Sequence, residues 1–114
     1  MFQAQLLIRE QSADTKVYSP WFPREGDFLR GTAEFVAGNG VLTVKVFTKN
    51  NEDTGNGTEI AGTSISLSSA GRGDAEWTTI KEMVRYEFTV GDAAGEWVLF
   101  RMLSPTWFDA VDAS

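Results

Sequence analysis

Segment 49–59 collects the oxygen-bearing side chains that could hold a hard metal ion. They are Asn50, Asn51, Glu52, Asp53, Asn56 and Glu59. Carboxylate and amide oxygens are the ligands that Ca²⁺ prefers. The spacing differs from that of an EF-hand loop, because no glycine stands at the sharp turn and no bidentate acid stands at the twelfth position. We therefore expect a solvated loop, no metal site and no cofactor.

Acidic residues are numerous enough for two carboxylates to face each other at the separation that a glycosidase uses. Nothing in their spacing puts such a pair in a pocket, and a small domain has little room for a cleft between them. Histidine and cysteine are both absent, which removes the usual general base near neutral pH and the thiol nucleophile. We expect a protein that is not an enzyme and has no catalytic residues.

Arg72, Gly73 and Asp74 form the tripeptide that integrins recognise. The glycine-rich segment 69–76 predicts a surface loop that could present such a motif. Three-residue matches arise by chance, so the favoured interpretation is a flexible glycine turn.

Aromatic residues beside proline recur near both ends of the chain. Ser-Pro-Trp-Phe at 19–22 returns as Ser-Pro-Thr-Trp-Phe at 104–108. Rings at such irregular positions either close the open ends of a β-sandwich core or contact a partner, which could be a protein or a sugar. The residues that we predict to anchor a partner are Phe2, Trp21, Phe22, Trp107 and Phe108.

The composition indicates one acidic domain, spanning residues 1–114. The net charge is −6 and the isoelectric point is about 4.5, which argues against nucleic acid as a partner. Apolar runs are far shorter than the roughly 20 residues that cross a bilayer, so we expect no membrane partner. The first ten residues lack the features of a signal peptide, so we expect synthesis in a cytoplasm.

Alternation of apolar and polar residues predicts strands at 2–9, 84–90 and 96–103. Shorter extended pieces are predicted at 16–22, 60–68 and 77–80. Gly31 suggests a bulge or bend within the strand at 28–37. Residues 107–113 could form one helical turn.

Two alternating segments meet at Gly38-Asn39-Gly40. Asn-Gly favours a two-residue type I′ hairpin, because both central positions need a positive φ. The resulting register would pair Phe35 with Val44 and Glu34 with Lys45. It would also gather the apolar side chains Ala33, Phe35, Ala37, Leu42, Val44 and Val46 on one face.

Eight short strands separated by Gly, Asn and Pro turns predict an all-β fold, an antiparallel β-sandwich of about eight strands. The topology could be jelly-roll or immunoglobulin-like, and a closed barrel is the alternative.

The stretches 77–80, 84–90 and 97–101 resemble small β-sandwich proteins of tailed-phage virions, including capsid decoration (cement) proteins. The same strand pattern is similar to discoidin-like and carbohydrate-binding sandwiches. The phage resemblance implies a non-enzymatic virion protein that binds the outside of a major capsid lattice and is often oligomeric. No residue-level functional motif transfers with it.

We therefore expect a structural virion protein whose partners are the major capsid protein or other virion subunits, and which forms a homo-oligomer. The alternatives are a carbohydrate-binding module and a phage tail or baseplate component.

Overall fold

The computed structural model describes residues 5–10, 15–91 and 93–109. Their strands form two antiparallel sheets. The first sheet contains β1 (Gln5–Arg9), β4 (Phe28–Gly38), β8 (Gly71–Trp77), β10 (Trp97–Met102) and β11 (Thr106–Phe108). The second sheet contains β2 (Val17–Tyr18), β3 (Phe22–Pro23), β5 (Leu42–Lys49), β6 (Thr58–Glu59), β7 (Ile65–Leu67) and β9 (Met83–Thr89). The predicted all-β sandwich is confirmed.

Several short strands share one position in their sheet. Strands β10 and β11 follow each other along one side of β4, β2 and β3 do so along β9, and β6 and β7 do so along β5. The first sheet thus reads β1, β10 with β11, β4, β8, and the second reads β2 with β3, β9, β5, β6 with β7. When strands that share a position are counted as one, every connection between the described strands crosses from one layer to the other except that from β5 to β6. This is the jelly-roll topology rather than the immunoglobulin one.

The predicted hairpin at Gly38-Asn39-Gly40 is wrong. Strand β4 pairs with β8, β10 and β11, whereas β5 pairs with β6, β7 and β9, so the turn is an arch between the two layers. Neither Asn39 nor Gly40 has a positive φ. The arch is fixed to β10 instead: the Asn39 side-chain oxygen accepts a hydrogen bond from the Trp97 N–H at 2.9 Å, and the Asn39 N–H donates to the Trp97 carbonyl at 3.0 Å.

The arch still buries most of the predicted face. Ala33, Phe35, Leu42, Val44 and Val46 are all buried, whereas Ala37 is exposed. The pairing of the polar residues changes completely. Glu34 lies opposite Arg101 and Arg72, and Lys45 lies opposite Glu87.

Segment 69–76 is not a loop, because most of it belongs to strand β8, which ends at Trp77. Residues 78–80 are not a strand, and residues 106–108 form strand β11 rather than helix; residues 110–113 of the predicted helical turn lie outside the described part. Gly31 lies in the regular ladder with β8, and the register shift occurs near Val36 instead. A Cβ on Gly31 would lie 2.9 Å from Trp77 Cζ3, so this glycine makes room for a ring.

The interlayer space is filled by rings and branched side chains. Trp77, Tyr86, Phe88 and Phe100 are almost completely buried and contact one another in an aromatic row. Burial of this apolar surface supplies the main stabilisation of the fold. Chemistry and partner contacts therefore fall to the outer faces, the rims and the sheet edges.

Candidate functional site

An extra residue between β2 and β3 creates an aromatic surface on the outside of the second sheet. Tyr18 lies opposite Glu87 of β9, and Phe22 lies opposite Val84. Residues 19–21 therefore span the distance that only two residues of β9 span, which is the geometry of a bulge. This offset brings both Tyr18 and Trp21 to the outer face.

Ser19 maintains the ladder through the bulge. Its N–H donates to the Tyr86 carbonyl at 3.0 Å, and its hydroxyl oxygen accepts the Tyr86 N–H at 2.9 Å. Pro20 has no N–H to contribute. The hydroxyl therefore satisfies a buried backbone donor at the point where the chain bends. This role accounts for the serine and proline of the first Ser-Pro motif.

The guanidinium of Arg85 lies between the two outward rings. Its Cζ atom is 4.1 Å from the centre of the Tyr18 ring and 4.6 Å from that of Trp21. The Lys49 ammonium is also 4.6 Å from the centre of the Trp21 ring. A cation over an aromatic face is attracted by the ring quadrupole. We call these residues, Tyr18, Trp21, Lys49 and Arg85, the aromatic–cation cluster.

Neighbouring residues restrict the cluster further. The Phe47 ring meets Tyr18 edge-on at 6.1 Å, and the Asn56 carbonyl accepts a bond from Arg85 Nη2 at 3.4 Å. A Cβ on Gly57 would lie 2.8 Å from Trp21 Cη2, so the ring packs directly on that backbone. The pKa of the Tyr18 hydroxyl is raised mainly by partial burial and further by a hydrogen bond to Glu87. The cluster is thus a pre-shaped surface rather than a set of loose side chains.

The cluster is locally positive on an acidic protein. Within the described residues, neither Lys49 nor Arg85 takes part in a salt bridge. An ion pair on the same sheet involves Lys45 instead, which lies 3.9 Å from Glu59. The two cations therefore remain available to an acidic or carbonyl-rich partner surface.

The structure separates the predicted anchor residues. Trp21 is half-buried on the outer face, whereas Phe22 points inward and lies 5.5 Å from the Tyr86 ring. Trp107 also packs against the core, 6.5 Å from Phe22 in an edge-on contact. Phe108 is 41% exposed on the short strand β11. Phe2 lies outside the described residues.

Sequence reasoning did not select Arg85 or Lys49, although both belong to the cluster. Each occupies a polar position of an alternating strand, which by itself indicates only solvent exposure. The available signal was the position of Arg85 beside Tyr86 in the alternating strand predicted at 84–90, together with tryptophan in the preceding Ser-Pro motif. Only the bulge brings Trp21 over Arg85.

Other candidate chemistry is accounted for by local contacts. Asp53 closes a turn by accepting the Asn50 N–H at 3.0 Å, and Glu82 accepts the Asn51 N–H at 3.0 Å. Among the described residues, no group of three or more acidic side chains is arranged to hold a metal ion. Residues 72–74 lie in a strand, with Arg72 3.2 Å from Glu34 and Asp74 3.6 Å from Arg30. The tripeptide is thus held in cross-strand ion pairs rather than presented on a loop.

No family model matches the chain, and no curated protein matches it in sequence. No helix in the described part of the chain is long and apolar enough to cross a membrane.

Proposed function

We propose that this chain is a structural virion protein that decorates the outside of a major capsid lattice. The observation that supports this proposal best is the aromatic–cation cluster on the outer face of the second sheet. Tyr18, Lys49 and Arg85 lie in strands of the second sheet and Trp21 lies in the bulge between β2 and β3, so we expect little entropy to be lost when a partner binds. Such a protein would be made in the host cytoplasm and act in the virion.

The residue types in the cluster are those that dominate protein interfaces. The few residues that dominate the binding energy of protein interfaces are enriched in tryptophan, tyrosine and arginine. In this cluster, Arg85 contacts both the Trp21 and the Tyr18 ring without any partner present. A decoration protein that bridges neighbouring capsid subunits gains further affinity because each contact raises the effective concentration of the next.

A carbohydrate-binding module is the competing function, and two features of the geometry disfavour it. A sugar platform built from Trp21 and Trp107 needs the two rings on one surface. Trp21 lies on the outer face of the second sheet, whereas Trp107 packs against the core between the layers. In addition, Arg85 and Lys49 both lie over the Trp21 ring, where a stacked sugar would have to sit.

Cosedimentation of the purified chain with capsids that lack it tests the proposal. We expect binding by the wild-type chain and at least a tenfold loss of affinity in Trp21→Ala, because hot-spot truncations typically cost about 2 kcal/mol or more. Val41→Ala is the matched control. Val41 is 41% exposed and immediately precedes β5, whose other end is Lys49. Circular dichroism and thermal unfolding would verify that both variants fold.

Three results would contradict the proposal or favour one of the alternative functions. Equal heat resistance of capsids with and without the chain would remove the stabilising role. Binding to a glycan array that disappears in Trp21→Ala or Trp107→Ala would favour the carbohydrate-binding module. Binding to isolated tails but not to capsids would favour the third function, a tail or baseplate component that uses the same surface.

A further inference from the structure

We propose that two copies of this chain associate through strand β1, by antiparallel pairing centred on Leu7. This interface is separate from the aromatic–cation cluster and does not depend on the proposed function. Strand β1 lies at an edge of the first sheet. Within residues 5–10, 15–91 and 93–109, β1 pairs with β10 alone.

The backbone of β1 carries open hydrogen-bonding groups. The Glu10 N–H donates to the Glu96 carbonyl at 2.7 Å, and the Glu10 carbonyl accepts the Gly95 N–H at 3.0 Å. Glu10 therefore directs both backbone groups toward the β10 side. In an antiparallel strand, the backbone N–H and C=O groups of successive residues point alternately to its two sides. Those of Leu7, and of positions 5 and 9, therefore point to the open edge.

Other sheet edges carry features that oppose pairing with a second chain. Pro20 and Pro23 interrupt the β2–β3 edge, and β6 and β7 are very short. Strand β8 carries exposed charges at Arg72, Asp74 and Glu76. Prolines, short strands and charges are the usual protections of an exposed edge. Strand β1 carries one charged residue, the exposed Arg9, and presents Leu7, which is 62% exposed.

Leu7 also begins an apolar row across the outer face. It lies opposite Leu99 of β10, which in turn lies opposite Ala37 of β4. Leu99 is half-buried, and Ala37 and Val36 are exposed. A two-fold axis through Leu7 would join this row to the same row of a second copy. Such an interface is self-complementary, as in most homodimers.

Antiparallel self-pairing also gives a favourable register. Leu7 of one copy would face Leu7 of the other in a hydrogen-bonded pair, and Arg9 would face the uncharged position 5. No like charges are then opposed. The two first sheets would become one continuous sheet, and the edge groups at positions 5, 7 and 9 would all be paired.

Cross-linking tests this register directly, because the natural chain contains no cysteine. Facing residues of a hydrogen-bonded pair have Cα atoms about 5.5 Å apart, which a disulfide can span. We expect Leu7→Cys to form a covalent dimer rapidly on mild oxidation. Ser66→Cys is the control, since Ser66 is exposed on β7 at the distant edge of the other sheet. It should cross-link only slowly.

Sedimentation of the isolated chain supplies the second measurement. The wild type should be a dimer, and Leu7→Lys should be a monomer of unchanged secondary structure, whereas Ser66→Lys should remain dimeric. A monomeric wild type, or equal cross-linking of the two cysteine variants, would overturn the proposal. If the wild type is monomeric and Leu7→Lys abolishes its binding to capsids, the edge of β1 contacts the capsid rather than a second copy, and the proposal is overturned. The cross-linking and sedimentation readouts do not require that the capsid role be correct.

Discussion

The guanidinium carbon of Arg85 lies 4.6 Å from the centre of the Trp21 ring, although the two residues are far apart in sequence. Arg85 contacts Tyr18 on the same outer face, so one side chain orients two rings. The cluster therefore depends on Arg85 more than on either ring alone.

Arg85→Met should lower the free energy of unfolding by about 1–2 kcal/mol, because it removes two cation–π contacts that are each worth about 0.5–1 kcal/mol at exposed sites. Urea denaturation followed by tryptophan fluorescence measures the change. Arg72→Met is the control, since its exposed ion pair with Glu34 should contribute only about 0–1 kcal/mol. Equal losses in both variants would contradict a special role for Arg85.

Gly31→Ala should destabilise the core although Gly31 lies in a regular strand. A Cβ at this position would lie 2.9 Å from Trp77 Cζ3 and 3.2 Å from the Tyr86 hydroxyl oxygen, and both rings are fully buried. We expect a loss of about 1–3 kcal/mol, as in other overpacked cores. Gly55→Ala should change stability little, because nothing lies within 4 Å of its Cβ and its φ is not positive. Thermal unfolding of the two variants provides the comparison.

Ser19→Ala should lower stability by about 1–3 kcal/mol, because the buried Tyr86 N–H loses its hydrogen-bond acceptor. Ser66→Ala, at an exposed serine of β7, should stay within about 0.5 kcal/mol of the wild type. Amide hydrogen exchange gives a local measurement, since the Tyr86 amide should exchange faster only in Ser19→Ala. Unchanged protection of that amide would show that Ser19 does not maintain the ladder.

Tyr86 should make the fold sensitive to alkali. Burial raises the pKa of its hydroxyl far above the ordinary value of 10.0. Because the pKa is raised in the folded state, the unfolded chain releases this proton at a lower pH than the folded chain does. The contribution of Tyr86 to the free energy of unfolding is therefore fully present below pH 10 and declines as the pH rises further. The chain has two tyrosines. Because the Tyr86 hydroxyl keeps its proton while the chain is folded, the absorbance of its phenolate should appear only when the chain unfolds.

Tyr86→Phe tests the same group from the other side. Within the described residues, the Tyr86 hydroxyl is buried without a hydrogen-bond partner. Its removal should be neutral or stabilising at pH 7, because an unsatisfied buried polar group is costly. The variant should also lose less stability than the wild type between pH 10 and pH 12. A marked loss at pH 7 would indicate an unrecognised partner for the hydroxyl.

The sequence alone determined the class of the fold and most of its inner faces. Period-two alternation specifies which side of a strand meets the core, and Phe35, Val44 and Phe100 are buried as that pattern predicts. Strand β8 escaped detection because its inward positions include Gly71 and Gly73, whose lack of a side chain hides the alternation. Gly73 leaves space for Leu67 and Ile65 of the facing layer.

Only the tertiary structure decided which strands are hydrogen-bonded neighbours and where the aromatic residues lie. A hairpin and an arch at Asn39 bury nearly the same side chains, so the apolar pattern cannot distinguish pairing within a sheet from packing between sheets. Backbone contacts with Trp97 favour the arch, and they come from a distant part of the chain. Trp21 and Phe22 are neighbours in sequence, yet a strand sends adjacent side chains to opposite faces. The sequence therefore supplied the anchor candidates, and the packing of the layers decided which of them faces outward.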